Sequence, residues 1–214
     1  MVKQLMNLIG DFGNEKAPWN FFIAIVLLGC SPAGDKQDEI VDEEYIKEDK
    51  KQQALSMQVL KADEENGITL EEEMYQQLSV LVEANPDIGV DDDFSIHGIN
   101  IVKTNTGESV MLFLGINRLE QGIKNIALEY TLGIETEGTV EYIFNREVIN
   151  LLESYAGVIQ PNHAIPFTVP FTQGGEELLR LMTEENKTIK IENATFELES
   201  WGSGHSVQEV VALF

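Results

Sequence analysis

Between Ile123 and Ile134 the apolar residues Ile126, Leu128, Tyr130 and Leu132 recur at every second position. That period puts them on one face of a β-strand and leaves the other face polar. The pattern returns along the chain and limits it to a mainly β fold. Phe94 through Ile101 and Val102 form a first strand, turned at Asn105-Thr106-Gly107, and Val110 to Ile116 a second. Ile123 to Ile134 is the third. Glu135-Thr136-Glu137-Gly138 then turns the chain into a fourth over Thr139 to Phe144. Ala164 to Phe171, Thr188 to Leu198 and Val207 to Phe214 are the fifth, sixth and seventh. Short strands at this spacing, separated by turn residues, predict an antiparallel sandwich.

Helical spacing occurs in three places. Thr69-Leu70-Glu71-Glu72 has the form of a helix start, with Thr69 as N-cap and Glu72 at the capping-box position. Met74, Leu78, Leu81 and Val82 then make one apolar face, and Asn85-Pro86-Asp87 ends it. Val148, Leu151, Leu152 and Tyr155 predict a helical turn, and Glu176 to Glu185 a short helix. The Met74–Val82 stripe reads as a docking face on the β domain rather than as a cofactor site.

The chain carries 37 acidic and 14 basic residues, a formal net charge of -23. Such a surface repels phosphate backbones and excludes nucleic acid as a partner. It also repels anionic head groups, so attachment to a membrane requires a hydrophobic anchor. The acid is densest over residues 31–66, from Asp35, Asp38 and Glu39 to Asp63, Glu64 and Glu65, where apolar residues are sparse. A segment of that composition does not offset its ordering entropy. Residues 30–66 are therefore expected to be an acidic disordered linker, extended by self-repulsion. Within it, Ala54, Leu55, Met57, Val59 and Leu60 predict at most a short strand or helical turn.

The single cysteine, Cys30, follows the apolar run from Phe21 to Gly29. As a helix that run spans about 14 Å, too short for a hydrocarbon core of about 30 Å. It fits the apolar region of a secretory signal peptide over residues 1–29. Leu27-Leu28-Gly29-Cys30 resembles the lipobox of bacterial lipoproteins. That resemblance implies a diacylglycerol-modified, N-terminal Cys30 and a lipid anchor on the extracellular face of the cell membrane. Two acyl chains hold far more firmly than one.

A second resemblance lies in the β region. Gly157-Val158-Ile159-Gln160-Pro161-Asn162 and Pro166-Phe167-Thr168-Val169-Pro170-Phe171 are similar to the S-layer-associated (SLAP) domain of Gram-positive surface proteins. Leu112-Phe113-Leu114-Gly115-Ile116-Asn117 and Ile123 fit that family's earlier strand and turn. Gln160 stands where that family usually has a second proline, and Phe167 where it has tryptophan. The same pattern is similar to immunoglobulin-like domains on lipoproteins of these bacteria. The expected architecture is an immunoglobulin-like antiparallel sandwich over 67–214, with two short helices, one of them leading.

No catalytic set emerges. His97, His163 and His205 include no pair at the spacing of a helical zinc site. The Asp91-Asp92-Asp93 run with His97 is the one place where a hard cation or a metal-dependent enzyme is conceivable. A charged flank on a strand accounts for it more simply. Ser203 and Ser206 flank His205 in a glycine-serine loop, without the strand–turn–helix setting of a nucleophile. Trp201, Phe167, Phe171 and Tyr142 are candidates for an aromatic patch, with a core role preferred. The sequence calls for no cofactor. Its expected partners are the membrane, through the anchor, and an envelope protein or wall component.

Overall fold

A computed structural model describes residues 53–199 other than 105 and 173. Cys30, Trp201, Ser203, His205, Ser206 and the strand expected over 207–214 lie outside the described residues.

The elements, in chain order, are β1 (Ser56–Met57), α1 (Lys61–Glu64), α2 (Glu73–Ala84), β2 (Phe94–Lys103), β3 (Ser109–Asn117) and β4 (Ile123–Thr136), then β5 (Thr139–Leu151), α3 (Glu153–Ala156), β6 (His163–Pro170), α4 (Gly175–Leu181) and β7 (Lys187–Leu198). The fold is mainly β, with four short helices among the described residues where two were expected. One sheet runs β1-β6-β3-β2 and the other β5-β4-β7. Strands β2, β3 and β6 on one sheet, against β5, β4 and β7 on the other, follow the order of an immunoglobulin-like sandwich. Among the described residues the one parallel pair is β1 with β6.

The core between the sheets follows from the alternation. Ile126, Leu128, Tyr130, Leu132 and Ile134 of β4 are all buried against Phe113, Ile165 and Phe167 of the first sheet. Phe113 is the hub. Its ring stacks on Phe167 at 5.4 Å and meets Tyr130 edge-on at 5.4 Å, with Phe144 at 6.2 Å. The hairpin β4–β5 closes at Glu137 and Gly138, both at positive φ, as a two-residue turn of this hand requires.

A second core lies on the outer face of the first sheet. Leu112, Leu114, Ile116 and Ala164 are covered there by Leu55, Met57, Val59, Ile68, Tyr75, Leu78 and Val82. Strand β3 is thus buried on both faces, and the molecule has three layers. The acidic linker expected over 30–66 therefore gives way to packed structure by Leu55. Five buried residues in that stretch, Leu55, Met57, Val59, Leu60 and Asp63, outweigh the neighbouring charge. Asp63 is fully buried. Its Oδ2 accepts a 2.7 Å hydrogen bond from the Tyr75 hydroxyl, which in turn accepts the Leu60 N–H at 3.1 Å. Burial pushes the Asp63 carboxyl above the ordinary carboxylate range.

Two further expectations change. Helix α2 begins at Glu73, not after Thr69. Thr69 Oγ1 instead accepts the Glu71 N–H at 3.2 Å, holding a turn before the helix. Val148 to Leu151 is the end of strand β5 rather than a helical turn, and only Glu153–Ala156 is helical there. Arg146 takes φ 53°, which resets the alternation so that Ile149 and Leu151 point inward.

Candidate interaction face

The outer face of the second sheet has no layer over it comparable with the one on the first sheet, among the described residues. Alternation along β4 turns Ala127, Glu129, Thr131 and Gly133 to this face, where Ala127 and Glu129 are half-buried and Thr131 and Gly133 buried. Their cross-strand neighbours are Asn150, Val148 and Tyr142 on β5, and Thr195, Glu192, Lys190 and Thr188 on β7.

Glu129 is the centre of this face. Arg146 Nε donates to its Oε2 at 2.6 Å, and Asn193 Nδ2 donates to its Oε1 at 2.9 Å. Arg146 sits on β5 and Asn193 on β7, and both have positive φ. Each marks an irregularity on an edge strand, and the two re-aim their side chains at one carboxylate from opposite sides. The Arg146 contact, then the Asn193 contact, holds the Glu129 carboxyl below its ordinary range, so it stays charged. An exposed pair of this kind adds little stability. Its effect is to fix a charged, directional cluster on an open surface.

Two exposed apolar side chains lie on β5: Val148 at 60% accessibility, directly opposite Glu129, and Tyr142 at 44%, opposite Gly133 four residues further along β4. The Tyr142 ring lies over Gly133, where a Cβ would come within 3.3 Å of it and 2.7 Å of the Glu141 carbonyl. Tyrosine and arginine next to an apolar residue are the side chains that dominate binding when desolvated by a partner.

Of the aromatic patch considered from the sequence, only Tyr142 among the described residues is offered to solvent in this way. Phe167 is in the core, and Phe171 stacks on Phe144 at 5.7 Å. His163 is half-buried at the start of β6, with Nδ1 2.8 Å from the Pro161 carbonyl oxygen.

The Asp91–Asp93 and His97 cluster is not assembled. Asp93 Oδ1 accepts the Phe94 N–H at 2.7 Å, and its carbonyl accepts the Arg118 N–H at 3.0 Å. His97 lies four residues further along β2, about 13 Å away at strand rise. It is buried, and burial pushes its pKa below the ordinary value and keeps it neutral. Among the described residues no three His, Cys, Asp or Glu side chains gather as a metal site.

One cation was missed from sequence. Arg118 is buried, and its guanidinium donates to the carbonyls of Gln53 at 2.9 Å and Ile88 at 3.1 Å and to that of Pro86. It ties the turn after β3 to both ends of the covering layer. Burial lowers its pKa, opposed by Asp91 and Asp87 nearby.

No protein-family model, curated protein or solved structure matches the chain. Among the described residues no helix is long and apolar enough to cross a membrane.

Proposed function

We propose that this chain is a lipid-anchored protein of the extracellular face of the cell membrane, acting as a non-catalytic binding or assembly module for an envelope protein or wall component. The observation that carries the binding role is the outer face of the second sheet, with Val148 opposite Glu129 of the Arg146–Glu129–Asn193 cluster and Tyr142 exposed further along β5. The address rests on Leu27-Leu28-Gly29-Cys30, and the Gram-positive setting on the SLAP-like run from Gly157 to Phe171.

The layered fold supports this arrangement. The chain enters the domain through the layer on the first sheet, the side opposite the open face.

The reading is tested by capture from solubilised envelope on immobilised full-length chain. Tyr142→Ala with Val148→Asp is expected to reduce retention of the captured component at least roughly tenfold, the loss of one hot-spot contact. Val80→Asp, on the exposed side of α2 at 65% accessibility, is expected to leave it unchanged. Equal retention by all three proteins would contradict this use of the face.

A further inference from the structure

Among the described residues, Asp63 is the one acidic side chain that is buried. Its Oδ2 accepts from the Tyr75 hydroxyl, and its Oδ1 is buried with no hydrogen-bond partner among the described residues. The other buried side-chain atom in that position is Nε of Arg118, the residue that ties the same layer to the sandwich. Among the described residues the core between the two sheets holds no such atom. A buried polar atom without a partner costs free energy, and a buried charge costs far more.

The groups around Asp63 supply no compensating cation. Tyr75 comes from α2 and Tyr155 from α3, against which α1 packs. Burial pushes both phenols above their ordinary value, so both stay neutral. Lys61 is exposed on α1 and within electrostatic reach of Glu153 on α3, which is itself bonded to Lys124 at 2.9 Å. Glu64 and Glu65 are exposed and add like charge beside Asp63. Two routes relieve a charged Asp63: it takes up a proton, or the layer opens and admits water. A neutral carboxyl still accepts from Tyr75, and an unpartnered O–H costs less than an unpartnered charge.

The layer is separable from what lies beneath it. Strand β1 joins β6 through the Ser56 N–H on the Asn162 carbonyl at 3.0 Å and the Gln58 N–H on the Ala164 carbonyl at 2.8 Å. Helix α2 meets the first sheet through the side chains of Tyr75, Leu78 and Val82. The sandwich keeps its own core on the other face of that sheet.

We propose that Asp63 is a proton-controlled latch: protonated, it fastens the layer carrying α1 and α2 onto the first sheet, and ionised, it releases that layer while the sandwich stays folded. A water-exposed aspartate titrates near pH 4, roughly, and burial raises the value in the closed layer above that. The stabilisation from Asp63 is therefore complete in acid and is lost as pH rises through the closed-layer value. Between the two values each pH unit raises the open fraction roughly tenfold. The layer is tight in acid and loosens as pH rises.

Amide exchange on the full-length wild type and Asp63→Asn, from about pH 4 to about pH 8 and corrected for the chemical exchange rate, tests this with β4 amides as the reference. The asparagine keeps the shape and does not titrate, so the remaining acidic surface cancels in the ratio of the two proteins. Wild-type protection over residues 60–84, relative to the variant, is expected to fall at least roughly tenfold across that range, with β4 protection the same in both. A ratio that does not change with pH overturns the proposal. So does β4 protection that falls together with the layer, because the sandwich then opens with it. If Asp63→Asn does not fold, the carbon-13 shift of the wild-type Asp63 carboxyl is followed over the same range. A carboxyl that titrates above the ordinary aspartate value is the expected result, and one that is fully ionised by about pH 5 overturns the proposal.

Discussion

Phe113→Ala lowers the free energy of unfolding by about 3–5 kcal/mol, the cost of deleting a buried phenyl ring and leaving its cavity. The site has little freedom to collapse. Phe113 is fully buried on β3 and is held between Phe167, Tyr130 and Phe144, so its loss leaves three aromatic neighbours facing a void. Against a typical total stability of about 5–15 kcal/mol, a loss of that size brings the domain close to its threshold. Urea unfolding followed by tryptophan-independent far-UV dichroism measures it. The midpoint falls while the slope with denaturant stays the same, because the surface exposed on unfolding hardly changes. Phe113→Leu recovers much of the difference by refilling most of the volume. A Phe113→Ala midpoint within error of wild type would mean that the two sheets do not meet at this ring.

Arg118→Met is the second large effect, with an expected loss of about 1–3 kcal/mol from leaving the buried Ile88 carbonyl without its donor. Methionine matches much of the volume and removes the desolvated charge, which by itself favours the variant. The loss comes from the acceptors. The guanidinium donates to the carbonyls of Gln53, Pro86 and Ile88; the first two belong to exposed residues that water can reach, and Ile88 is buried. Arg118→Lys keeps a charge without the planar fork that reaches several acceptors, and is expected to fall between the two. Amide exchange gives the location. In Arg118→Met, protection is lost first in the covering layer over residues 53–90, with β4 and β5 retained. Uniform loss across both sheets would contradict the assigned role of Arg118 as the tie between the layer and the sandwich.

These two residues also indicate how far the sequence could be read. Strands announced by strict alternation, such as Ile126 to Leu132, lie where the period puts them, because an interior between two sheets rewards that period alone. Val148 to Leu151 escaped for a physical reason. The positive φ at Arg146 shifts the alternation by one residue, and the shifted apolar positions imitate helical spacing. The short strand read within 54–60 is there as β1, but the packing of residues 55–66 escaped because burial of a few side chains, and of Asp63 beside the Tyr75 hydroxyl, outweighs a high local charge that composition reads as disorder. The capping pattern at Thr69 was real but served a turn rather than the helix.

The interaction face was less legible. Arg146, Glu129 and Asn193 are distant in sequence and meet only because β4 pairs with β5 on one side and β7 on the other. No local pattern encodes that register. Tyr142 was visible as an aromatic residue, but its exposure depends on Gly133 opposite it, again across two strands. Arg118 looked like an ordinary cation because its acceptors are backbone carbonyls contributed by Gln53, Pro86 and Ile88, which no side-chain motif records.

The claim on which the functional account depends is that the chain is processed and anchored at Cys30, and intact mass with membrane partition tests it most directly. Wild type and Cys30→Ala are expressed in a lipoprotein-processing bacterium and fractionated. The account predicts a wild-type chain that begins at Cys30, carries the mass of a diacylglycerol group and partitions with the membrane, and a Cys30→Ala chain that is neither cleaved at that bond nor acylated. A wild-type chain of full unprocessed mass in the soluble cytoplasmic fraction would contradict it.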